Sequence, residues 1–263
     1  MEKIEKQHLR FGLIGKNISY SFSKGYFTQK FKELGLDSHS YENFDFQAIE
    51  EFKILLKDSD NIKGCNVTIP YKESVIPYLD KLDPKAEKIG AVNTIHFTEN
   101  GRIGYNTDAY GFQKSIEPHL KKHHTKALIL GTGGASKAVK YVLEEKGIQC
   151  TYVSRTPKEN QISYVQLDKQ LMEAHSVIVN TTPLGTYPDI QNKPAIPYQF
   201  LTEKHLLFDL IYNPEKTAFL SAGETQGTGI CNGQHMLEYQ AEEAWKIWNS
   251  EHDKNNITSN ELL

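Results

Sequence analysis

This chain lacks a charge excess: 30 Lys and Arg against 33 Asp and Glu leave a net charge of -3 over 263 residues. A protein that grips nucleic acid by neutralising phosphates carries a basic surplus, so that class of partner is not expected, and an anionic ligand would need a local site. Cysteine is scarce as well. Cys65, Cys150 and Cys231 are odd in number and far apart, with neither a CxxC pair nor a disulfide framework. They read as small buried hydrophobes in a reducing compartment. Long apolar runs are missing: no stretch approaches the roughly 18 residues of a membrane span, and MEKIEKQHLRFGLIG has no apolar run of signal-peptide length. A soluble, cytoplasmic protein with no membrane partner is expected. Glycine (18) and proline (10) are too few for collagen-like or low-complexity sequence.

What is present is a well-stocked core alphabet, 38% hydrophobic with 12 Phe and 14 Tyr, enough for one large core or two modest ones. Strands and helices alternate from the start. Arg10–Ile14 reads as a strand ending at Gly15, followed by a helical stripe of Phe27, Phe31 and Leu34 closed by Gly35. A strand near Tyr41–Phe44 precedes a helix with Ile49, Phe52 and Leu56 on one face. Gly64–Ile69 is a strand stopped by Pro70, and a helix carrying Val75, Ile76 and Leu79 is expected next. Ala91–Phe97 and Arg102–Tyr105 flank Glu99-Asn100-Gly101, a hairpin signal. The class is α/β with mostly parallel strands.

A second alternating series follows the basic stretch 121–126, where His123 and His124, with His119 before them, read as solvated rather than metal-binding. Ala127–Leu130 is a strand, Gly131–Ser136 a glycine-rich turn, and the next helix stops at Gly147. Cys150–Val153, Val177–Val179 and Leu206–Ile211 are further buried strands, and a last helix spans about Gln234–Asn249. A βαβ series with its own first strand argues for a second domain.

Several residues could carry chemistry. Gly131, Gly133 and Gly134 form a GxGG turn between strand and helix, where backbone N–H groups can approach a pyrophosphate; the alternative is a plain tight turn. An NAD site would place an acid about 20 residues on. This chain has Ser154-Arg155-Thr156 there, with Lys158 beyond, which favours the 2′-phosphate of NADP, although Glu159 could pair with either cation. Lys72 and Asp108 each sit just past an extended segment, where α/β sheets place ligand sites; the alternatives are a surface lysine and a helix N-cap. Ser21 and Ser23 could cap a helix or present hydroxyls to a carboxylate. Asn93 could end a strand or aim its amide at a hydroxyl. Gln240 lies on the apolar face of the last helix and must find hydrogen bonds, from protein or ligand.

The segments FGLIGKNISYSFS, NVTIPYKE, LDPKAEKIGAVNTI, GYNTDAYGF, LILGTGGASKAV, VSRT, VNTTPLG, FDLIYNP and GQHMLEYQAEEAW, in that order, resemble the shikimate dehydrogenase family from Phe11 to about Trp248. The resemblance implies an NADP-dependent enzyme that reversibly reduces 3-dehydroshikimate to shikimate in aromatic amino-acid (chorismate) biosynthesis. It implies a discontinuous substrate domain, residues 1–108 plus 235–263, around a Rossmann-like NADP domain, 109–234, acting as a monomer or homodimer. It puts the catalytic lysine at Lys72 and its partner at Asp108, with substrate contacts at Ser21, Ser23, Thr68, Asn93, Tyr212 and Gln240. Cofactor contacts fall on Gly131, Thr132, Gly133, Gly134, Ala135, Ser154, Arg155, Thr156, Lys158, Leu210 and Gly233. No metal is implied.

The chain departs from the family at Tyr20, where His is usual, at Thr186, where Met is common, and at Ser154, where Asn is common. A quinate/shikimate dehydrogenase using NAD as well would tend to carry an acidic adenosine loop, and Thr can replace its second serine; Arg155 and Ser23 argue against it. A non-catalytic sensor of NADP or an aromatic precursor would not need Lys72, Asp108 and Gln240 intact.

Overall fold

A computed structural model describes residues 8–19 and 21–250; Tyr20 lies outside the described residues. The chain divides into two compact units, one built from residues up to Thr107 and from Ala241 onward, the other from Asp108–Gln240.

The first unit holds β1 (Leu9–Gly15), α1 (Phe22–Glu33), β2 (His39–Asp45), the short α2 (Phe52–Leu55), β3 (Ile62–Val67), β4 (Lys81–Leu82), α3 (Pro84–Ile89), β5 (Thr94–Thr98) and β6 (Gly101–Tyr105). Its sheet runs β2-β1-β3-β5-β6-β4. β1 pairs parallel to β2 and β3, while β5 runs antiparallel to both β3 and β6. The β5–β6 hairpin falls where Glu99-Asn100-Gly101 predicts it. Alternation along β1 splits the core: Phe11 and Leu13 join Phe27, Phe31 and Tyr41, whereas Ile14 joins Phe44, Phe52, Val67 and Val75.

Two expectations fail here. Residues 73–79 form turns and a single 3-10 turn, Ile76–Tyr78, rather than a helix. Val75 is still buried, but Pro77 removes a backbone donor from the segment. Leu34 does not extend the apolar stripe of α1. It is the C-cap and is exposed, because the chain leaves the helix through Gly35 at φ +65.

The second unit opens with α4 (Thr107–Ile116) and continues through β7 (Lys126–Leu130), α5 (Gly134–Glu145), β8 (Gln149–Ser154), β9 (Gln161–Ser163), α6 (Lys169–Ala174), β10 (Val177–Asn180), β11 (Leu206–Asp209), α7 (Ala218–Glu224), β12 (Gly229–Cys231) and the first half of α8 (Gln234–Trp248), whose remainder, from Ala241, belongs to the first unit. All its strands are parallel, in the order β12-β11-β10-β7-β8-β9. Numbered within the unit, that is the doubly wound 3-2-1-4-5-6 order, which reverses between its first and fourth strands, β7 and β10. Both faces are covered, so β7, β10 and β11 are apolar at nearly every position. Leu128, Ile178, Leu207, Phe219 and Leu220 pack on one side, and Phe112 of α4 meets Phe208 edge-on at 5.0 Å.

His124 corrects another expectation. It is buried, its Nδ1 accepting from the Lys121 N–H at 3.0 Å and its Nε2 3.3 Å from the Lys204 carbonyl. Burial and the neighbouring His123 lower its pKa. Cys65 is buried, but Cys150 and Cys231 are only partly so.

The end of α8 returns to the first sheet. Trp248 is fully buried, donates from Nε1 to the Ile95 carbonyl at 2.9 Å, and packs on Phe11 and Phe27 at 5.1 and 5.2 Å. Its indole lies directly over Gly64 of β3, where a Cβ would overlap it. Gly64→Ala is therefore expected to cost about 1–3 kcal/mol through overpacking. Urea denaturation measures it, and an unchanged midpoint would mean that the indole is not seated there.

Candidate active site

In the first unit, four chain segments leave the same end of one sheet. β1 and β3 run parallel, so their carboxyl ends lie together. β5 is antiparallel to β3, so its amino end joins them, and the carboxyl end of β6 follows because Thr94 pairs with Tyr105. The residues just past those ends are Ser21 and Ser23, Thr68 to Lys72, Asn93, and Asn106 with Thr107. Backbone bonds stitch the segments: the Thr68 N–H donates to Ile14, the Lys16 N–H to Ile69, and the Val92 N–H to the Lys72 carbonyl at 2.7 Å.

Ser21 is the N-cap of α1, accepting from the Lys24 N–H at 3.4 Å. Ser23 lies in the first turn and hydrogen-bonds the buried Tyr41 phenol. Asn93 leads into β5, and its amide bonds Thr107: Oδ1 accepts from the Thr107 N–H at 2.6 Å and Nδ2 donates to the Thr107 hydroxyl at 2.9 Å. Around it lies a buried polar cluster that sequence reasoning missed. The Tyr41 hydroxyl donates to Asn66 Oδ1 (2.8 Å), Asn66 Nδ2 reaches Thr94 Oγ1 (3.3 Å), and Thr94 meets the Thr107 hydroxyl (3.1 Å). Thr68 and Lys72 are half-buried.

In the second unit, every residue that the resemblance assigns to the cofactor lies at or just past the carboxyl end of a strand. Gly131–Ala135 follow β7, Ser154 closes β8 with Arg155, Thr156 and Lys158 after it, Leu210 follows β11 and Gly233 follows β12. Gly131 needs to be glycine: its φ is +103, and a Cβ would press on Thr181 Oγ1 at 2.8 Å. Gly133 caps α5 with no side-chain bond to the first turn, and a Cβ there would meet open space. An uncapped helix start behind a glycine turn, at the reversal of a doubly wound sheet, suits the pyrophosphate of a dinucleotide. Arg155 and Lys158 are exposed, and no ion pair joins Glu159 to either among the described residues. The Thr156 N–H donates to Ser154 Oγ at 3.2 Å, shaping that turn. Thr186 is exposed in the loop after β10.

Asp108 is not an N-cap. It is the second residue of α4 and is buried. One turn on, Gly111 packs against the α8 backbone at Met236 and Gln240. Gln240 is buried, with Nε2 donating to the Leu237 carbonyl at 2.9 Å. Tyr212 is half-buried, and burial raises its phenol pKa.

Sequence reasoning also missed Asn180 and Asp209, the last residues of β10 and β11, both with no exposed surface. Asp209 accepts from the Asn180 amide (3.0 Å), the Ile211 N–H (3.1 Å) and the Thr217 hydroxyl (2.6 Å). Asn180 in turn accepts from the Thr182 N–H (3.0 Å) and hydroxyl (2.7 Å). The available signal is a polar residue closing an otherwise apolar strand.

The family model described as the shikimate dehydrogenase substrate binding domain matches residues 13–95. The shikimate dehydrogenase (NADP(+)) of Methanosphaera stadtmanae is 36% identical over 256 residues, covering 90% of both chains. The crystal structure of shikimate dehydrogenase from Aquifex aeolicus is similar at a TM-score of 0.82 with 33% identity, covering 94% of each chain. The Thermus thermophilus shikimate 5-dehydrogenase, solved with NADP(H) and shikimate, gives 0.80 and 31%, covering 92% of this chain and 93% of that one.

Burial pushes the Asp209 carboxyl from 3.8 up to about 6, against the pull of its three donors. The folded state thus holds this proton more tightly than the unfolded chain. The group's contribution is most favourable below the unfolded value and is lost as pH rises through about 6. A shift of about two units is worth ~3 kcal/mol. Asp209→Asn can keep all three contacts, since its amide would donate to Thr217, yet it cannot ionise. Relative to wild type, the variant should therefore gain up to about that amount between acid and neutral pH. Denaturant midpoints across that range measure the gain, and a constant difference would refute it.

Proposed function

The chain belongs to the shikimate dehydrogenase family, and on that premise we propose how its residues carry out the NADP-dependent interconversion of 3-dehydroshikimate and shikimate. The first unit binds substrate and the second binds cofactor, in the cytoplasm. That location is consistent with the three free cysteines and with the absence, among the described residues, of a helix long and apolar enough to cross a membrane. The observation that supports the reading best is the convergence of Ser21, Ser23, Thr68, Lys72 and Asn93 on one end of the first sheet.

NADPH, when bound, supplies the hydride. The glycine turn, with Thr132 and Ala135, takes the pyrophosphate on backbone N–H groups. Arg155 and Lys158 take the 2′-phosphate, with Ser154 and Thr156 beside them. Leu210 and Gly233 line the nicotinamide side. Reduction of the ketone puts negative charge on its oxygen, and Lys72 stabilises that oxygen and gives it a proton. Asp108 and Gln240 hydrogen-bond the substrate's hydroxyls, as do Thr68 and Asn93. Ser21 and Ser23 hold the ring carboxylate. The Tyr212 phenol, whose pKa burial raises further above neutrality, donates to it as well.

Lys72→Ala is expected to lower kcat by roughly 10²–10⁴ with a much smaller rise in KM; steady-state shikimate oxidation measures this, and an unchanged kcat removes the proton-donor role. Arg155→Ala should raise the KM for NADP about tenfold or more, the loss of a charge-assisted bond, while leaving turnover with NAD unaffected. Equal effects on both cofactors would deny Arg155 the 2′-phosphate.

A further inference from the structure

We infer that Asp209 is a positioning residue whose carboxylate sets the main chain between the cofactor contact Leu210 and the substrate contact Tyr212. The inference rests on the roles proposed above for those two residues.

Ile211 lies between them, and its peptide groups are held from two sides. Its N–H donates to Asp209 Oδ1, and its carbonyl accepts from the Gly233 N–H at 3.0 Å. Gly233 is itself a proposed cofactor contact, so one pinned residue ties three functional positions together. Asp209 also reaches past its own loop in both directions. Through Thr217, whose hydroxyl also caps α7 by accepting from the Leu220 N–H, it closes the 210–217 loop. Through Asn180 it fixes the loop after β10, where Asn180 accepts twice from Thr182. The neighbouring Thr181 donates from both N–H and hydroxyl to the Leu130 carbonyl, at 2.9 and 2.7 Å, one residue before the glycine turn. The loops after β10 and β11 are thereby joined by hydrogen bonds through Asn180 and Asp209, and Thr181, next to Asn180, ties the β10 loop to the end of β7.

Every donor in that network has an acceptor. Asn180 gives one N–H to Asp209 and the other to the Leu184 carbonyl (3.4 Å), while Thr217 donates to Asp209 and accepts from Leu220. A fully satisfied buried polar network fixes geometry more narrowly than apolar packing does. The carboxylate's place at the end of a core strand, with no exposed surface, excludes direct solvation as its purpose.

The test is made on the full chain. NADPH affinity is read by fluorescence titration without turnover, and the KM for shikimate is measured separately, on variants confirmed as folded by circular dichroism. Asp209→Ala should raise both the NADPH dissociation constant and the shikimate KM about tenfold, and Asp209→Asn should restore both to within about twofold of wild type. If Asp209→Ala does not fold, Thr217→Val, which removes one of the three bonds, should raise both constants by a smaller factor. Leu207→Ala, a core lesion in the same strand, controls for stability loss. Unchanged constants in both Asp209→Ala and Thr217→Val, or shifts no larger than those of Leu207→Ala, overturn the proposal. Tyr212→Phe separates it from its premise. A wild-type KM there removes the substrate role of Tyr212 and the proposal with it, whereas an impaired Tyr212→Phe beside an unaffected Asp209→Ala overturns the proposal alone.

Discussion

The packing of the Trp248 indole on Gly64 is the constraint on which the chain's organisation depends. A helix at the end of the described sequence would ordinarily pack against the unit it follows. Here its last turns are claimed by the first sheet, because only a glycine in β3 leaves room for an indole, and the Ile95 carbonyl takes its N–H. Phe11, Phe27 and Phe31 supply the aromatic surroundings. The first unit is discontinuous for this reason: without the returning helix, one face of β1 and β3 would lack its cover. A partly buried ion pair, Lys30 of α1 with Glu242 of α8, and a hydrogen bond from the Tyr26 hydroxyl to the same carboxylate reinforce the arrangement. They are secondary to the buried aromatic contacts.

Both sheets solve the same problem at their functional ends. A strand that is apolar along its length must stop where chemistry begins, and the loop beyond it must be held without a hydrophobic core of its own. In each unit a buried polar residue lies within one position of the strand end that faces these loops: Asn66 in β3, Asn93 before β5, Asn180 in β10 and Asp209 in β11. Each spends its hydrogen bonds within the protein, on neighbouring strands and on loops. Burying such groups is costly unless they are satisfied, and these are satisfied by one another and by loop backbone. The carboxylate of Asp209 makes the strongest case, since its raised pKa shows that burial outweighs three donors. An apolar residue there would have been easier to fold and would have held nothing.

That pattern also explains what could be read from the sequence. The glycine turn, the hairpin and the last helix were legible because turn chemistry and helical period are local. The parallel strands of the second unit were legible because continuous apolar runs between turn residues leave few alternatives. Residues 73–79 depart from the expected helix because Val75, Ile76 and Leu79 match a helical period by spacing alone, while Pro77 and the tertiary path decide otherwise. His124 looked solvated amid lysines, yet the Lys204 carbonyl, eighty residues away, draws it inside. Lys72, Asp108, Ser21 and Ser23 were candidates by position after strands. Asn180 and Asp209 carry no local signal beyond closing a strand, and the bond between them spans 29 residues of sequence.

The modest net charge takes on a different sense once the sites are in view. A ligand with three phosphates does not require a basic protein when most of its recognition comes from backbone. The N–H groups at the start of α5 offer partial positive charge with no side chain at all, and no side chain caps them. Only the 2′-phosphate needs full charges, and Arg155 and Lys158 stand exposed where a strand-end loop presents them, with Glu159 not drawn onto either among the described residues. On the proposed reading, selection between the two cofactors falls to a few solvent-facing side chains. Asn180, Asp209 and Thr217, by contrast, are fully buried. The first can vary without disturbing the second, because no hydrogen bond joins the two sets among the described residues.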